Sequence, residues 1–248
     1  MTHGPFALEL VEVFDTPWIL DVDTTIKSIY GRQEGSRVGY NPQKPGRPSH
    51  ALQTYWISTL RLCLDVEVHP GNASAASYGF DGLWALIDQL PKKRRPHVVR
   101  GDCAYGYEAC LLAAETRAQS YLFKVRRTAG ARAVIRALER TGDTCWQEAG
   151  QGWHGAEATL QLSGWSCRRR VVVLRRRLRD ARSPRARRQW ARQELSLLIH
   201  AGVEISSCEV IDYEYQILIT SLPYGVETLA PMYRARVDAE NPFDEMKK

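Results

Sequence analysis

The segment PWILDVDTT, residues 17–25, is the most informative about the fold of this chain. Its largely apolar first half is typical of a buried β-strand, and its second half ends in acidic and hydroxyl side chains. Asp21 and Asp23 are two residues apart, so strand alternation places both on one face of the sheet and does not choose between them. The stretch therefore predicts a buried strand that carries a carboxylate to the edge of a sheet.

The sequence around this strand predicts a mixed sheet. A loop rich in Gly, Pro and Asn comes next, with one short strand near residues 38–40. The predicted elements that follow are strands at 51–60 and 61–68, a helix at 80–90, a strand at 97–102, a helix at 107–117 and a strand at 121–125. Antiparallel strands come first and helix-linked parallel strands come later. This order predicts an α/β fold, a mixed sheet flanked by helices.

The rest of the chain divides at two changes of composition. Residues 1–126 form the first part of the predicted core, and residues 127–213 form an Arg-rich insertion of mostly β structure. Residues 214–248 return to the core with a strand at 215–222 and a final helix at roughly 228–247.

The composition of the chain favours some classes of function and excludes others. The 248 residues carry a net charge of +6, and arginines crowd between Arg168 and Arg192. Such a surface suits a phosphate backbone, although a solvated charged face remains the alternative. The chain has no apolar run long enough to cross a membrane and no signal peptide. Six scattered cysteines without a C-x-x-C pair predict no zinc site and indicate a reducing cytoplasm.

The C-terminal run MYRARVDAENPFDEMKK, residues 232–248, carries four polar residues on one helical stripe. They are Tyr233, Arg236, Glu240 and Lys247. At about 100° per residue their offsets place all four within roughly 60° of one another. A stripe of a tyrosine, two cations and a carboxylate suits a phosphate beside a metal ion. A charged amphipathic helix is the alternative.

Three carboxylates are candidates for a metal site. Asp23 ends the first strand and Asp102 ends the strand at 97–102, so both lie at a sheet edge that faces a crevice. Glu240 completes a cluster if the last helix packs across the same sheet. Such a set suits two Mg²⁺ ions about 4 Å apart, with Mn²⁺ as a substitute, and these ions activate a water or a 3′-hydroxyl. For Asp102, capping of the following helix is the alternative.

The motifs in combination resemble a known family. They are D-V-D-T-T at 21–25, G-Y-N-P-Q-K-P-G-R-P-S-H at 39–50, V-H-P-G-N at 68–72, V-R-G-D at 99–102 and the Y-x2-R-x3-E-x6-K helix. This combination resembles the DDE transposases of bacterial insertion sequences, and within them the group defined by the YREK helix. The resemblance runs from about Pro17 to Lys248 and is weakest in the Arg-rich middle.

The resemblance implies a ribonuclease H-like core with a β-rich insertion before the last helix. It implies that Asp23, Asp102 and Glu240 are catalytic and hold the metal ions, and the two threonines after Asp23 favour it over Asp21. It further implies that Tyr233, Arg236 and Lys247 contact DNA phosphates near the transposon end. In the Gly/Pro-rich loop, the weaker candidates for DNA contact are Arg37, Lys44 and Arg47.

The implied activity is Mg²⁺-dependent cleavage of double-stranded DNA at transposon ends and transfer to target DNA. The resemblance also implies a homodimer and a cytoplasmic location in association with the nucleoid. The chain starts shortly before Asp23 and stops one residue after Lys247, so we expect a copy truncated at both ends. An inactive truncated transposase that retains only DNA binding is therefore the alternative. A general ribonuclease H-like nuclease is a third hypothesis, which the YREK helix disfavours.

Overall fold

The computed structural model describes residues 14–41, 44–73, 75–178 and 213–236. The strands are β1 Ile19–Ser28, β2 Arg37–Val38, β3 Pro48–Ile57, β4 Leu62–Pro70, β5 Val98–Gly101, β6 Tyr121–Lys124, β7 Gln147–Glu148, β8 Trp153–Leu160, β9 Arg169–Arg177 and β10 Tyr213–Thr220. The helices are α1 Ala75–Gln89, α2 Glu108–Thr116, α3 Ala129–Arg140 and α4 Val226–Arg234.

These ten strands form one mixed sheet within the described ranges. Its centre is parallel, because β5 runs between β1 and β6 in the same direction as both. On one side β3 pairs antiparallel with β1, and its other edge pairs with β4 and the short β2. On the other side β10, β9, β8 and β7 follow β6 as an antiparallel series. The predicted α/β class and the element order up to residue 125 are confirmed.

Helices cover both faces of the sheet. On one face, apolar side chains of α1, α2 and α3 pack with Val22, Val99 and Phe123. On the other face, α4 packs with Val98 and Leu122. Val98 and Leu122 face α4, whereas Val99 and Phe123 face the other three helices. Because these short central strands are buried on both faces, their residues are apolar throughout.

The helix α3 was not predicted, since the residues from 127 onward were interpreted as mostly β structure. Thr128 caps it by accepting a hydrogen bond from the backbone N–H of Ala131, and Ala131 and Ile135 bury one face. The described part of this region, up to residue 178, contains α3 and the strands β7, β8 and β9. The division at residues 126 and 213 stays a prediction.

The last helix, α4, begins at Val226, two residues before the predicted start. Gly155 on β8 permits its close approach, because a Cβ there would lie 2.3 Å from Cγ1 of Val226. Its predicted continuation to residue 247 lies outside the described residues. In the described part of the chain no helix is both long and apolar enough to cross a bilayer.

Candidate active site

The candidate site lies where β1 and β5 run side by side. Val22 on β1 is in register with Gly101 on β5. The next residue along each chain is an aspartate, Asp23 and Asp102 respectively. Because neighbouring strands lie about 4.8 Å apart, this register places the two aspartates next to each other. Within β1, alternation directs Asp23 away from Val22 and toward the face on which α4 packs.

Asp21 is held in a buried ion pair with Arg100, its partner in the β1–β5 register. The guanidinium donates from Nε to Oδ1 at 2.5 Å and from Nη2 to Oδ2 at 2.7 Å, and both side chains are 2 % exposed. Ser58 donates to the same carboxylate, and Arg100 also donates to the carbonyl of Met232 in α4. The Asp21–Arg100 pair therefore fastens β1, β5 and α4 together, which is a structural role.

Asp23 is more open and pairs with an arginine that follows the last helix. Arg236 Nη2 donates to Asp23 Oδ1 at 2.7 Å, with the aspartate side chain 23 % exposed and the arginine 9 %. Since Arg236 lies two residues beyond the end of α4, this contact brings the chain after the helix directly to the sheet edge.

Asp102 begins a tight turn after β5. Its Oδ1 accepts a hydrogen bond from the backbone N–H of Ala104 at 2.8 Å, as in an Asx-turn. The following helix starts only at Glu108 and has Tyr107 at its N-cap position, so Asp102 does not cap that helix. Within the described residues, the second oxygen of Asp102 accepts no hydrogen bond.

A buried polar network, not anticipated from the sequence, lies behind the two aspartates. Thr24 donates to the amide oxygen of Gln53, and the Gln53 amide nitrogen donates to the hydroxyl of Tyr105. Thr24 and Gln53 are directly opposite each other on β1 and β3. Gly101 makes room for the tyrosine, since a Cβ there would lie 2.7 Å from the Tyr105 ring. The network connects β1, β3 and the turn after β5.

The two aspartates act electrostatically on this network. Burial raises the pKa of Tyr105, hydrogen bonds from Gln53 and Thr24 oppose that effect, and the charges of Asp23 and Asp102 raise the pKa further. Both carboxylates are therefore close enough to influence one buried hydroxyl, as their register predicts.

The structure describes two of the other four predicted site residues, Tyr233 and Arg236. Glu240 and Lys247 lie outside the described residues. Tyr233 is buried among the apolar side chains that hold α4 on the sheet, and Arg236 is buried beside Asp23. The structure brings together Asp23, Asp102 and Arg236. The predicted DNA contacts of Tyr233, Arg236 and Lys247 stay predictions.

The residues at the sheet edge fit a hard cation. Two neighbouring carboxylates supply the oxygen ligands that Mg²⁺ takes, and Asp23 is partly open to solvent. Within the described ranges no three His, Cys, Asp or Glu side chains gather into a metal-binding group. The candidate third ligand, Glu240, is outside those ranges.

The arginines of β9 are engaged within the protein. Each of four has a carboxylate partner on a neighbouring element: Arg169 with Glu108 and Glu115, Arg170 with Glu157, Arg175 with Glu139 and Asp143, and Arg176 with Glu214. Their main role is to fasten α2, α3, β8 and β10 to β9. These four arginines already have carboxylate partners, and residues 179–192 of the Arg-rich run lie outside the described residues, so the phosphate-binding surface predicted for this run stays a prediction.

The described residues form a mixed sheet flanked by helices, with two aspartates directly after the neighbouring registered positions of β1 and β5. Comparison with protein families gives the assignment: the chain belongs to the family described as transposase DDE domain group 1, whose model matches residues 11–248. It is therefore a transposase catalytic domain, and this family generally uses a divalent metal ion. The assignment to DDE transposases is confirmed.

Two further comparisons add little. No match was found among curated proteins. Among solved structures, a piggyBac transposase in a synaptic complex with hairpin DNA is similar, with 12% sequence identity and a TM-score of 0.47. The match covers 97% of this chain and 44% of that chain, so the present chain spans less than half of the piggyBac protein in that structure.

Proposed function

We propose that this domain cleaves phosphodiester bonds at the ends of its DNA element and joins the freed 3′-hydroxyl to target DNA. The observation that carries the proposal is the β1–β5 register, which sets Asp23 beside Asp102 at an edge that Arg236 reaches from the last helix. The division into a core at 1–126, an insertion at 127–213 and a final strand and helix at 214–248 is part of this proposal.

In this proposal Asp23, Asp102 and Glu240 hold two Mg²⁺ ions, with Mn²⁺ as a substitute. When bound, such ions activate the attacking oxygen and stabilise the leaving oxygen in phosphoryl transfer. Arg236 contacts Asp23, and Glu240 is four residues further on. Four residues span at most about 14 Å even when fully extended, so Glu240 is within reach of the two aspartates.

The chain's own groups then orient the substrate. Asp21 and Arg100 fix the relative position of β1 and β5, and thereby the separation of Asp23 from Asp102. Arg236 neutralises Asp23 in the absence of substrate and is placed to move onto a phosphate oxygen when DNA binds. Tyr233 and Lys247 make further phosphate contacts in the same proposal.

Strand cleavage tests this function. The substrate is a labelled duplex that contains the ends of the element encoding this chain, incubated with Mn²⁺ or Mg²⁺. We expect Asp23→Asn and Asp102→Asn to lower cleavage at least about a hundredfold. Asp81→Asn is the matched control, because Asp81 is an exposed aspartate on α1, and it is expected to cleave like the parent. Equal cleavage by Asp102→Asn and the parent would remove the assignment.

DNA binding without turnover is the second candidate function. The Arg236–Asp23 ion pair favours it, because the guanidinium occupies an oxygen that a metal ion would otherwise take. Under this candidate the parent binds the end duplex, yet no product forms with either metal. Measurable product that requires both aspartates would exclude it.

The assembly and location of the protein are also proposals. We propose a homodimer that binds two element ends, and an association with the nucleoid through DNA. Light scattering of the purified protein with and without end duplex tests the dimer, and a monomer under both conditions would contradict it.

A further inference from the structure

The loop between β1 and β3 differs from β9 in how its charges are used. Residues 29–48 contain four cations, Arg32, Arg37, Lys44 and Arg47, against one carboxylate, Glu34. All four cations are exposed, and within the described residues none of them has a carboxylate within ion-pair distance. Whereas four arginines of β9 have carboxylate partners, the cations of this segment, called the basic loop, are exposed without one among the described residues.

Tyr30 organises two of these cations. Its side chain is exposed, with 69 % of the residue accessible to solvent. Lys44 Nζ lies 4.4 Å from the ring centroid and the Arg47 guanidinium carbon lies 4.6 Å from it. The two charged groups are therefore within about 9 Å of each other, and attraction to the ring offsets part of their repulsion. Both cations are exposed, so they are accessible to a ligand.

The backbone of the basic loop is fixed by hydrogen bonds. Asn41 is buried, donates from Nδ2 to Ser28 Oγ at 2.8 Å, and accepts from the backbone N–H of Lys44 at 3.0 Å. The backbone N–H of Ile29 donates to the carbonyl of Pro48 at 2.9 Å, which closes the base of the loop. The backbone at Lys44 and at the base of the loop is thus positioned before any ligand arrives, which lowers the entropic cost of binding.

A cleft of about 410 Å³ separates the two sides of this loop, residues 29–32 and 45–48. Arg32, Arg47 and Tyr30 all line this cleft. Guanidinium groups held beside an aromatic ring suit a phosphate backbone, since Arg binds phosphate oxygens through its paired N–H donors.

We propose that the basic loop binds the backbone of the duplex DNA whose cleavage is proposed above, with Tyr30 positioning Lys44 and Arg47 against its phosphates. This inference rests on the proposed function for its ligand. Tyr30 is seven residues beyond Asp23, and most of this segment belongs to β1. The two residues are therefore at most about 23 Å apart. That span corresponds to at most about seven base pairs of B-DNA, so one duplex can contact both the loop and the aspartates.

Fluorescence anisotropy with a labelled end duplex, in Ca²⁺ and over a range of salt concentrations, tests the inference without requiring cleavage. For Lys44→Ala/Arg47→Ala we expect about tenfold weaker binding near 0.1 M salt. The slope of log K against log salt should decrease in magnitude by about 2. Lys92→Ala/Lys93→Ala removes two exposed cations that precede β5, at the opposite end of β1, and is expected to bind like the parent.

Tyr30→Leu separates the role of the ring from the role of the charges. It keeps both cations, so we expect several-fold weaker binding with a salt slope closer to that of the parent, and Tyr30→Phe should restore the affinity. The inference is overturned if the Lys44/Arg47 variant keeps parental affinity and slope, if the Lys92/Lys93 control weakens binding equally, or if the parent binds no duplex. A parent that binds through this loop but never cleaves supports the inference and contradicts the proposed catalytic function.

Discussion

At the scale of single residues, two aspartates separated by one valine have different roles. Strand alternation places Asp21 and Asp23 on the same face and leaves their roles equal. The neighbouring strand distinguishes them, because Arg100 is in register with Asp21 and engages both of its oxygens. Asp23 is two residues further along β1, beyond the end of β5, and its side chain is partly exposed to solvent.

The stability of asparagine variants should reflect this difference. Asp21→Asn leaves the buried Arg100 without its counter-charge, and we expect it to lower the free energy of unfolding by about 3–5 kcal/mol. Asp23→Asn should cost clearly less, since the side chain is partly exposed and the amide can still accept a hydrogen bond from Arg236. Urea denaturation measures both, and a larger loss for Asp23→Asn would contradict the structural role given to Asp21.

The hydroxyl of Tyr105 should contribute to the stability of the fold, because it accepts a hydrogen bond from Gln53. Tyr105→Phe leaves the buried Gln53 amide without an acceptor, so we expect a loss of about 1–3 kcal/mol in the free energy of unfolding. Tyr107→Phe is the control, because Tyr107 is exposed, and it should change stability by less than about 0.5 kcal/mol. Equal stability of the parent and Tyr105→Phe would mean that the network contributes nothing.

At the scale of elements, sequence patterns determined the order of the first strands and helices but not how the Arg-rich region packs. Apolar runs and helical periodicity predict β1, β3–β6, α1 and α2, since each follows from its own local pattern. The partners of the β9 arginines come from elements 13 to 61 residues away, and no local pattern reveals them. The same holds for Gln53 and Tyr105, which are 52 residues apart. The helical spacing of the apolar residues in α3 was also missed, because arginines are interspersed among them.

The attachment of α2 to β9 should depend on pH. Hydrogen bonds from Arg169 lower the pKa of Glu115 below its usual value of 4.5. A lowered pKa in the folded state means that this stabilisation is present above about pH 4.5, where the carboxyl is ionised in both folded and unfolded chains. It is lost as pH falls through the lower folded-state value.

We therefore expect Arg169→Met to lower the free energy of unfolding by about 2 kcal/mol at pH 7, and the difference from the parent to shrink as pH falls below 4.5. Urea denaturation at a series of pH values measures it. A difference that stays constant or grows in acid would show that Arg169 acts through packing and not through its ion pairs.

At the scale of the whole molecule, one sheet carries two separate charged regions. Its centre places Asp23 beside Asp102, with the last helix fastened to the same strands through Arg100 and Arg236. Beyond one end of β1 the basic loop presents cations that the rest of the fold leaves exposed. A duplex lying along β1 would contact both, which joins the proposed chemistry to a proposed path for DNA.

In the proposed function, Asp23, Asp102 and Glu240 meet around a divalent metal ion. Replacing Mg²⁺ with Fe²⁺ and adding ascorbate and peroxide generates hydroxyl radicals at the metal, which cut the backbone nearby. We expect cuts next to residues 23, 102 and 240 in the parent, all suppressed by excess Mg²⁺ and all lost in Asp102→Asn. Cuts at unrelated positions, or at 23 and 102 without 240, would contradict the account.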